Sequence, residues 1–456
     1  MIVMKFGGTS VESAAAIERV ASIVKARLDR RPVVVVSAMG KTTNRLLAAA
    51  SDAVNGRREQ ALAGLDALRE YHLRETQPVI SEADWPRART LIDGHFQELA
   101  ELVRGLAVLG ELTPRSLDAI SSYGERLSSA LVALALRNFG IETAHLDSRC
   151  VIITDARHTQ AMPILPLTYA RLAEAVPPLA AEKVVVMGGF IGATEKGVTT
   201  TLGRGGSDFT ASIVGAGIGA EEIQIWTDVD GMLTCDPRIL PGGRRVKIIS
   251  FAEAAELAYF GAKVLHPSTV LPAVEKNIPV LILNSRRPEA GGTRIVAEAV
   301  RCENVVKAIA CKRGITVVNV RSTRMLMAHG FLRRIFEVFD RWETAVDMVS
   351  TSEVSVSLTI DNNARLNEIC EELRGFSEVD VEERQAIICL VGDNIRYTPG
   401  VAGRVFRAIE DINVRMISQG ASLLNLSFVV AEPDLVRTVE RLHREFFSRL
   451  DPAVFD

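Results

Sequence analysis

Short apolar runs alternate with longer amphipathic stretches over the first two thirds of the chain. Residues 1–4 (MIVM), 32–37 (PVVVVS), 141–146, 151–154, 183–187, 222–227 and 279–283 are of strand length, and several are rich in β-branched residues. Residues 11–31, 46–139, 209–214 and 251–260 instead carry apolar side chains at helical spacing. Strands alternating with helices predict a mainly parallel sheet inside a three-layer α/β/α domain. The run 279–283 is expected to be its last strand. The turn-rich 289–293 (EAGGT) then leads to 294–296, and a domain boundary falls near 297–303.

Beyond that boundary the pattern repeats. Residues 330–336 (GFLRRIF) resemble 400–406 (GVAGRVF), 70 positions on, and 346–350 (VDMVS) resemble 414–418 (VRMIS). Each copy reads strand, turn, helix, strand, strand, helix, strand. That order predicts two ferredoxin-like βαββαβ units. Their exposed sheet edges favour pairing with each other or across a dimer.

Composition narrows the class. At 456 residues the chain calls for two or three domains, and 48% hydrophobic with 24% charged residues fits a globular protein. The net charge of -3 gives no electrostatic reason to expect nucleic acid. No apolar run is long enough to span a membrane, and no basic segment precedes an apolar leader. The cysteines, Cys150, Cys235, Cys302, Cys311, Cys370 and Cys389, form no C-x-x-C pair. They read as reduced core thiols of a cytoplasmic protein. The histidines are scattered, and no metal-ligand cluster is expected. His266, within 264–267 (VLHP), reads as a packed or hydrogen-bonded residue.

Candidate chemistry gathers in polar loops. Residues 5–10 (KFGGTS) end the first apolar run. A lysine, a glycine turn and a helix capped by Thr9 or Ser10 would make an anion-binding corner. Residues 38–44 (AMGKTTN) contain Gly-Lys-Thr, but a P-loop needs a glycine where Val35 stands. Within 121–127 (SSYGERL), Gly124 interrupts the helical pattern, and Glu125 reads as a residue favouring a helix N-terminus. Residues 199–208 (TTTLGRGGSD) open a second helix, with Ser207 and Asp208 as capping residues. Residues 215–220 (GAGIGA) mimic a dinucleotide fingerprint but end a helix instead of following a strand.

Taken together, these segments closely resemble the aspartokinases of the amino-acid kinase family, over essentially the whole chain. The resemblance is carried by 5–10, 37–44 (SAMGKTTN), Gly124-Glu125, 199–208, 226–231 (WTDVDG), 236–238 (DPR), 260–267 (FGAKVLHP) and 349–357 (VSTSEVSVS). It implies a catalytic domain over 1–297 and paired ACT domains. The first would span 313–384, and the second would combine 304–312 with 385–456. It also implies transfer of the ATP γ-phosphoryl group to the β-carboxylate of L-aspartate, with ATP and Mg²⁺ as cofactors. A carboxylate nucleophile is ionised at neutral pH, so positive charge and backbone donors matter more than a base.

The resemblance assigns residues to parts of that task. Lys5 and Lys263 would flank the phosphoryl group, with Asp208 holding both ammonium groups and helping to position Mg²⁺. Gly7, Gly8 and Thr9 would line the phosphate path. Thr227, Asp228 and Arg238 would contact the nucleotide. Arg204 would fork onto a substrate carboxylate, and Glu125 would pair with the substrate ammonium. Thr43 and Ser207 would complete the aspartate site. A tyrosine common in relatives falls at Leu233. In the ACT half, Met325, Phe331, Leu332, Asp347, Ser352 and Glu353 match effector-binding positions, with lysine as the first effector to consider. Serines of lysine-sensitive relatives fall at Ala328 and Ala345. A homodimer or homotetramer through the ACT domains is implied. With no stretch left for a fused dehydrogenase domain, a monofunctional enzyme is expected. Two other readings are a kinase acting on glutamate or acetylglutamate and an inactive amino-acid sensor; a structural protein would need no glycine-rich anion loops.

Overall fold

The computed structural model describes residues 1–261, 267–298, 302–322 and 329–456. The chain forms two compact units, Met1–Gly231 with Leu265–Ala297, and Met232–Val264 with Glu298–Asp456.

The strands of the first unit are β1 (Ile2–Phe6), β2 (Pro32–Val36), β3 (Thr143–Leu146), β4 (Ile153–Thr154), β5 (Val184–Gly188), β6 (Ile191–Thr194), β7 (Thr199–Thr201) and β8 (Glu222–Thr227). After β9, which lies in the other unit, come β10 (Val280–Asn284) and β11 (Thr293–Val296). The main sheet runs β3-β5-β2-β1-β8-β10-β11. Its pairs are parallel except β10–β11. Every residue of β1 and β2 is buried, as near-continuous apolar runs require of a sheet covered on both faces. β1 sits between β2 and β8, so the chain winds away from it in both directions. The crevice beyond the C-terminal end of β1 is therefore the topological switch point, where open α/β sheets bind ligands. β11 corrects the expectation that 279–283 ends the sheet: Gly292, at φ 80°, lets the chain reverse and add an antiparallel edge.

Helices α1 (Ala14–Lys25), α2 (Thr42–Val54), α3 (Arg58–Thr76), α4 (Trp85–Leu109), α5 (Pro114–Asn138), α6 (Leu165–Ala180) and α7 (Gly206–Ile218) accompany this sheet. Two start sites differ from expectation. Thr9 and Ser10 do not cap α1; Ser13 does, its hydroxyl accepting from Ala16 N at 3.3 Å. Ser10 is diverted to Ser285, Oγ to Oγ 2.8 Å, and Gly8–Ser10 form a single tight turn. In α7 the N-cap is Gly205, at φ 72°, so Ser207 and Asp208 lie inside the first turn.

In the second unit, Met232–Val264 contributes β9 (Ile248–Ser250) and α8 (Phe251–Tyr259), so this stretch leaves the expected 1–297 block. A fully buried ion pair accounts for it: Lys307 Nζ lies 2.8 Å from Glu253 Oε1. Glu253 also closes the capping box of α8 with Ser250. A buried charge left without its partner is costly, so α8 stays with the segment that carries Lys307. The short α9 (Leu271–Glu275) returns to the first unit.

The rest of this unit is β12 (Ala308–Arg321), α10 (Phe331–Arg341), β13 (Val349–Thr351), β14 (Ser355–Ile360), α11 (Leu366–Arg374), β15 (Glu378–Val391), α12 (Val401–Ala408), β16 (Val414–Gln419), β17 (Asn425–Ala431) and α13 (Leu435–Phe446). The strands form one antiparallel sheet, β13-β14-β12-β15-β17-β16. Both repeats carry the same cap: Gly330 begins α10 at φ 83° and Gly400 begins α12 at φ 84°. The two repeats interleave. Ala308–Lys312 pairs with Ile387–Val391, whereas Ile315–Arg321 pairs with residues 378–385, across a register shift.

Candidate active site

At the C-terminal end of β1 lies a cavity of about 250 Å³ lined by Lys5, Ser37, Thr43, Glu125, Phe190, Gly203, Gly205, Gly206, Ser207 and Asp208. Five residues expected from the sequence therefore share one space: Lys5, Thr43, Glu125, Ser207 and Asp208. Lys5 is delivered by β1, Thr43 by the first turn of α2, Glu125 by α5, and Ser207 and Asp208 by the first turn of α7.

Lys5 Nζ stands 2.7 Å from Asp208 Oδ1, with both side chains mostly buried. The approach is an ion pair without hydrogen-bond alignment, so among the described residues the buried Asp208 Oδ1 has no hydrogen-bond donor. Glu125 is buried in the middle of α5. Its Oε1 accepts from Ala38 N at 3.1 Å, and its Oε2 has no hydrogen-bond partner among the described residues. Burial pushes its carboxyl up to about 8, against the opposing pull of the Ala38 N–H. The reading of Glu125 as a helix-start residue is thereby corrected. Gly124 does not interrupt the helix; it lets α5 press on the 38–43 loop. A Cβ there would sit 2.8 Å from Ala38 Cβ and 3.3 Å from Thr43 Oγ1.

The other expected residues lie around or away from this cavity. Gly7 and Gly8 follow Lys5 directly, but Gly7 N already donates to Trp226 O at 3.2 Å, and Thr9 is exposed. Arg204 is exposed between two lining glycines, Gly203 and Gly205. Thr227 ends β8, beside β1, and its hydroxyl meets Asp228 Oδ1 at 3.3 Å. Arg238 belongs to the second unit, exposed and paired with Asp236 at 2.6 Å. Lys263 lies outside the described residues.

In the second unit Phe331 is buried, Leu332 is 42% exposed, and Ser352 and Glu353 are exposed. Met325 lies outside the described residues. Asp347 is already satisfied by its own chain. Lys312 Nζ lies 2.8 Å from Asp347 Oδ2 and 2.8 Å from Asp361 Oδ2. Burial pulls the Lys312 ammonium down, but the two carboxylates outweigh it and hold it above its ordinary value.

Two contributors carried no sequence signal. Phe190 holds a left-handed backbone, φ 66°, unusual for a bulky residue. Its N–H donates to Thr210 Oγ1 at 3.0 Å and its carbonyl accepts from Leu202 N at 2.9 Å, which pins the strained residue against the cavity. Asp118, fully buried in α5, accepts from Thr159 N at 3.0 Å and from the Thr201 hydroxyl, and meets His158 Nδ1 at 2.7 Å. It thus ties down β7, from which the 199–208 loop departs. A single aspartate in a helical stretch has no pattern that announces this role.

Among the described residues, no group of three or more His, Cys, Asp or Glu side chains could cage a metal ion. Of the two carboxylates lining the cavity, Asp208 is the one beside Lys5, and Mg²⁺ is ordinarily held by one or two carboxylates together with substrate phosphates. The donor set thus fits a metal that arrives with a nucleotide.

Comparison with known proteins identifies the family. The model of the amino acid kinase family matches residues 1–284, and an ACT domain model matches 388–446. Aspartokinase 2, chloroplastic, of Arabidopsis thaliana is 40% identical, with 98% of this chain and 84% of that protein covered. Lysine-sensitive aspartokinase 3 of Escherichia coli K12 is 37% identical over 98% of this chain and 99% of that one. Among solved structures, E. coli aspartokinase III in complex with aspartate and ADP matches with a TM-score of 0.83 at 37% identity, covering 98% of this chain and all of that one. Membership at this identity spans both units, and the chain belongs to the aspartokinases of the amino acid kinase family.

Proposed function

We propose that this chain transfers the γ-phosphoryl group of ATP to the β-carboxylate of L-aspartate, giving 4-phospho-L-aspartate, the first step towards lysine, threonine and methionine. The observation that carries the reading is the buried, half-satisfied carboxylate of Glu125 in the same cavity as the Lys5–Asp208 ion pair. An uncompensated carboxylate at this depth calls for a cation, and the substrate ammonium supplies one. Binding then brings Glu125 back to its charged form.

The aspartate carboxylate attacks as it stands, without a base. Lys5 neutralises charge on the transferring group, and Asp208 keeps that ammonium in place. Ser207 and Thr43 hydrogen-bond the bound amino acid, and Arg204 swings its guanidinium fork onto the α-carboxylate. Lys263 acts as the second ammonium group. The open face beside Gly7, Gly8, Thr9, Thr227 and Asp228 takes the phosphates and the nucleoside, and Arg238 is a further nucleotide contact. Mg²⁺ arriving with ATP would meet Asp208; when bound, it supplies charge neutralisation on the phosphate oxygens. An ATP-coupled assay with aspartate, glutamate and acetylglutamate tests the reaction. Turnover with aspartate alone is expected, and turnover only with another acceptor would refute it.

The ACT pair serves feedback control, and lysine is the first effector to test, in keeping with the lysine sensitivity named for the E. coli relative. The amino acid would lie near Met325, Phe331, Leu332, Asp347, Ser352 and Glu353. The ammonium of Lys312 already occupies Asp347, so an effector must compete with it. Titrating turnover with lysine, threonine and methionine decides this point; no response to any of them would remove these ligands. Assembly as a homodimer or homotetramer through the ACT half, in the cytoplasm, completes the proposal, and sedimentation checks the assembly. Among the described residues no helix is long and apolar enough to cross a membrane.

A further inference from the structure

The first unit holds a second, larger cavity besides the one described above. A space of about 770 Å³ opens on the other side of α5, between α4, α5 and the segment after β3. Its volume falls within the range of small-molecule sites. Positive charge dominates the lining: Arg87, Arg126, Arg137 and Arg149 stand against two carboxylates, Glu98 and Asp147. This runs against the chain as a whole, whose net charge is -3. Both carboxylates are engaged locally. Arg149 holds Asp147 at 2.6 Å, and the Tyr123 hydroxyl donates to Glu98 at 2.6 Å. Arg137 spends its donors on the Thr143 hydroxyl and carbonyl. The Arg126 guanidinium lies over the Tyr123 ring, its carbon 4.4 Å from the centroid, and Arg87 is exposed. Arg87 and Arg126 make no ion pair among the described residues, although arginine at a concave site is suited to bidentate anions. Apolar side chains, Leu91, Ala130, Ala133, Leu134 and Ile191, form part of the wall beside the polar Thr90, His95, Ser129, His145 and Ser148.

We propose that this cavity is a second ligand site, taking a small organic anion whose phosphate or carboxylate head lies between Arg87 and Arg126 and whose apolar body rests on Leu91 and Leu134. The two sites share walls. Glu125 and Arg126 are neighbours in α5, one lining each cavity. Ile191 lines the outer cavity, and Phe190, next to it, lines the inner one. An occupant of the outer site therefore bears on two elements that shape the inner site. The proposal does not depend on which reaction the inner site performs.

Calorimetric titration of the full chain with phenyl phosphate, benzoate and uncharged benzyl alcohol tests this site. Each titration is repeated with Arg87→Glu, Arg126→Gln and, as a control for the inner cavity, Lys5→Ala. One saturable anion site is expected, weakened at least about tenfold by both arginine substitutions and unchanged by Lys5→Ala. A preference for phenyl phosphate identifies a phosphate ester as the ligand type, and a preference for benzoate a carboxylate. Arg87 is exposed and makes no ion pair among the described residues, so its variant is expected to keep the wild-type melting temperature, which separates lost binding from lost folding. The proposal fails if neither anion saturates, if benzyl alcohol binds as tightly, or if binding vanishes in Lys5→Ala and ignores Arg87→Glu.

Discussion

Two carboxylates, Glu125 in the first unit and Asp347 in the second, are each expected in an amino-acid site, yet their surroundings are opposite. Glu125 is buried with one oxygen unpartnered among the described residues and its carboxyl held far above the ordinary range. Asp347 already has a lysine of its own chain within 2.8 Å. The first, left half-satisfied by the fold, would gain from a cation brought to it. The second has a resident cation that any ligand must displace. Affinity for the same chemical group therefore depends less on the presence of a carboxylate than on whether folding has already satisfied it.

Substitutions can break or sharpen this contrast. Lys5→Ala should have the largest effect, lowering kcat by about a thousandfold while leaving the fold and oligomer intact; unchanged turnover would remove Lys5 from the chemistry. Glu125→Gln should lower kcat/KM for aspartate by about 10- to 100-fold, the scale of a charge-assisted hydrogen bond, with little change in KM for ATP. Arg204→Lys should raise KM for aspartate by about tenfold and KM for ATP by less, since an ammonium cannot reproduce the fork; equal effects would argue against a substrate contact. Lys312→Met should move lysine inhibition to concentrations lower by a few-fold, up to about tenfold, because it frees Asp347. An unchanged inhibition curve would exclude competition at that carboxylate.

The smallest effect expected is on stability. A raised carboxyl pKa means that the folded protein keeps a proton that the unfolded chain has lost. Ligand-free wild type should thus lose stability relative to Glu125→Gln as pH rises from 4.5 to about 8, read as a growing gap in urea midpoints. Saturating aspartate should close that gap.

Much of this was legible in the sequence because it rests on local chemistry. The β-branched run at 32–36 and the apolar start at 2–6 admit little besides buried strands, and the glycine-rich 199–208 segment marks a loop feeding a helix. The two glycines 70 residues apart both proved to be left-handed caps. What could not be read depends on distant partners. Gly124 looks like a helix breaker until the 38–43 loop is packed against it. Ser10 looks like a cap until Ser285 claims its hydroxyl. The placement of α8 in the second unit follows from a buried lysine 54 residues away, which no local pattern foretells.

The interleaving of β12 and β15 has one more implication. Each is a single strand that serves as sheet for both repeats, handing over from one to the other at the register shift near Lys312 and Ile315. Neither half can be excised without stripping its sibling of a rib. The tandem therefore folds and unfolds as one piece, and a nick between Lys312 and Ile315 should dismantle both modules together.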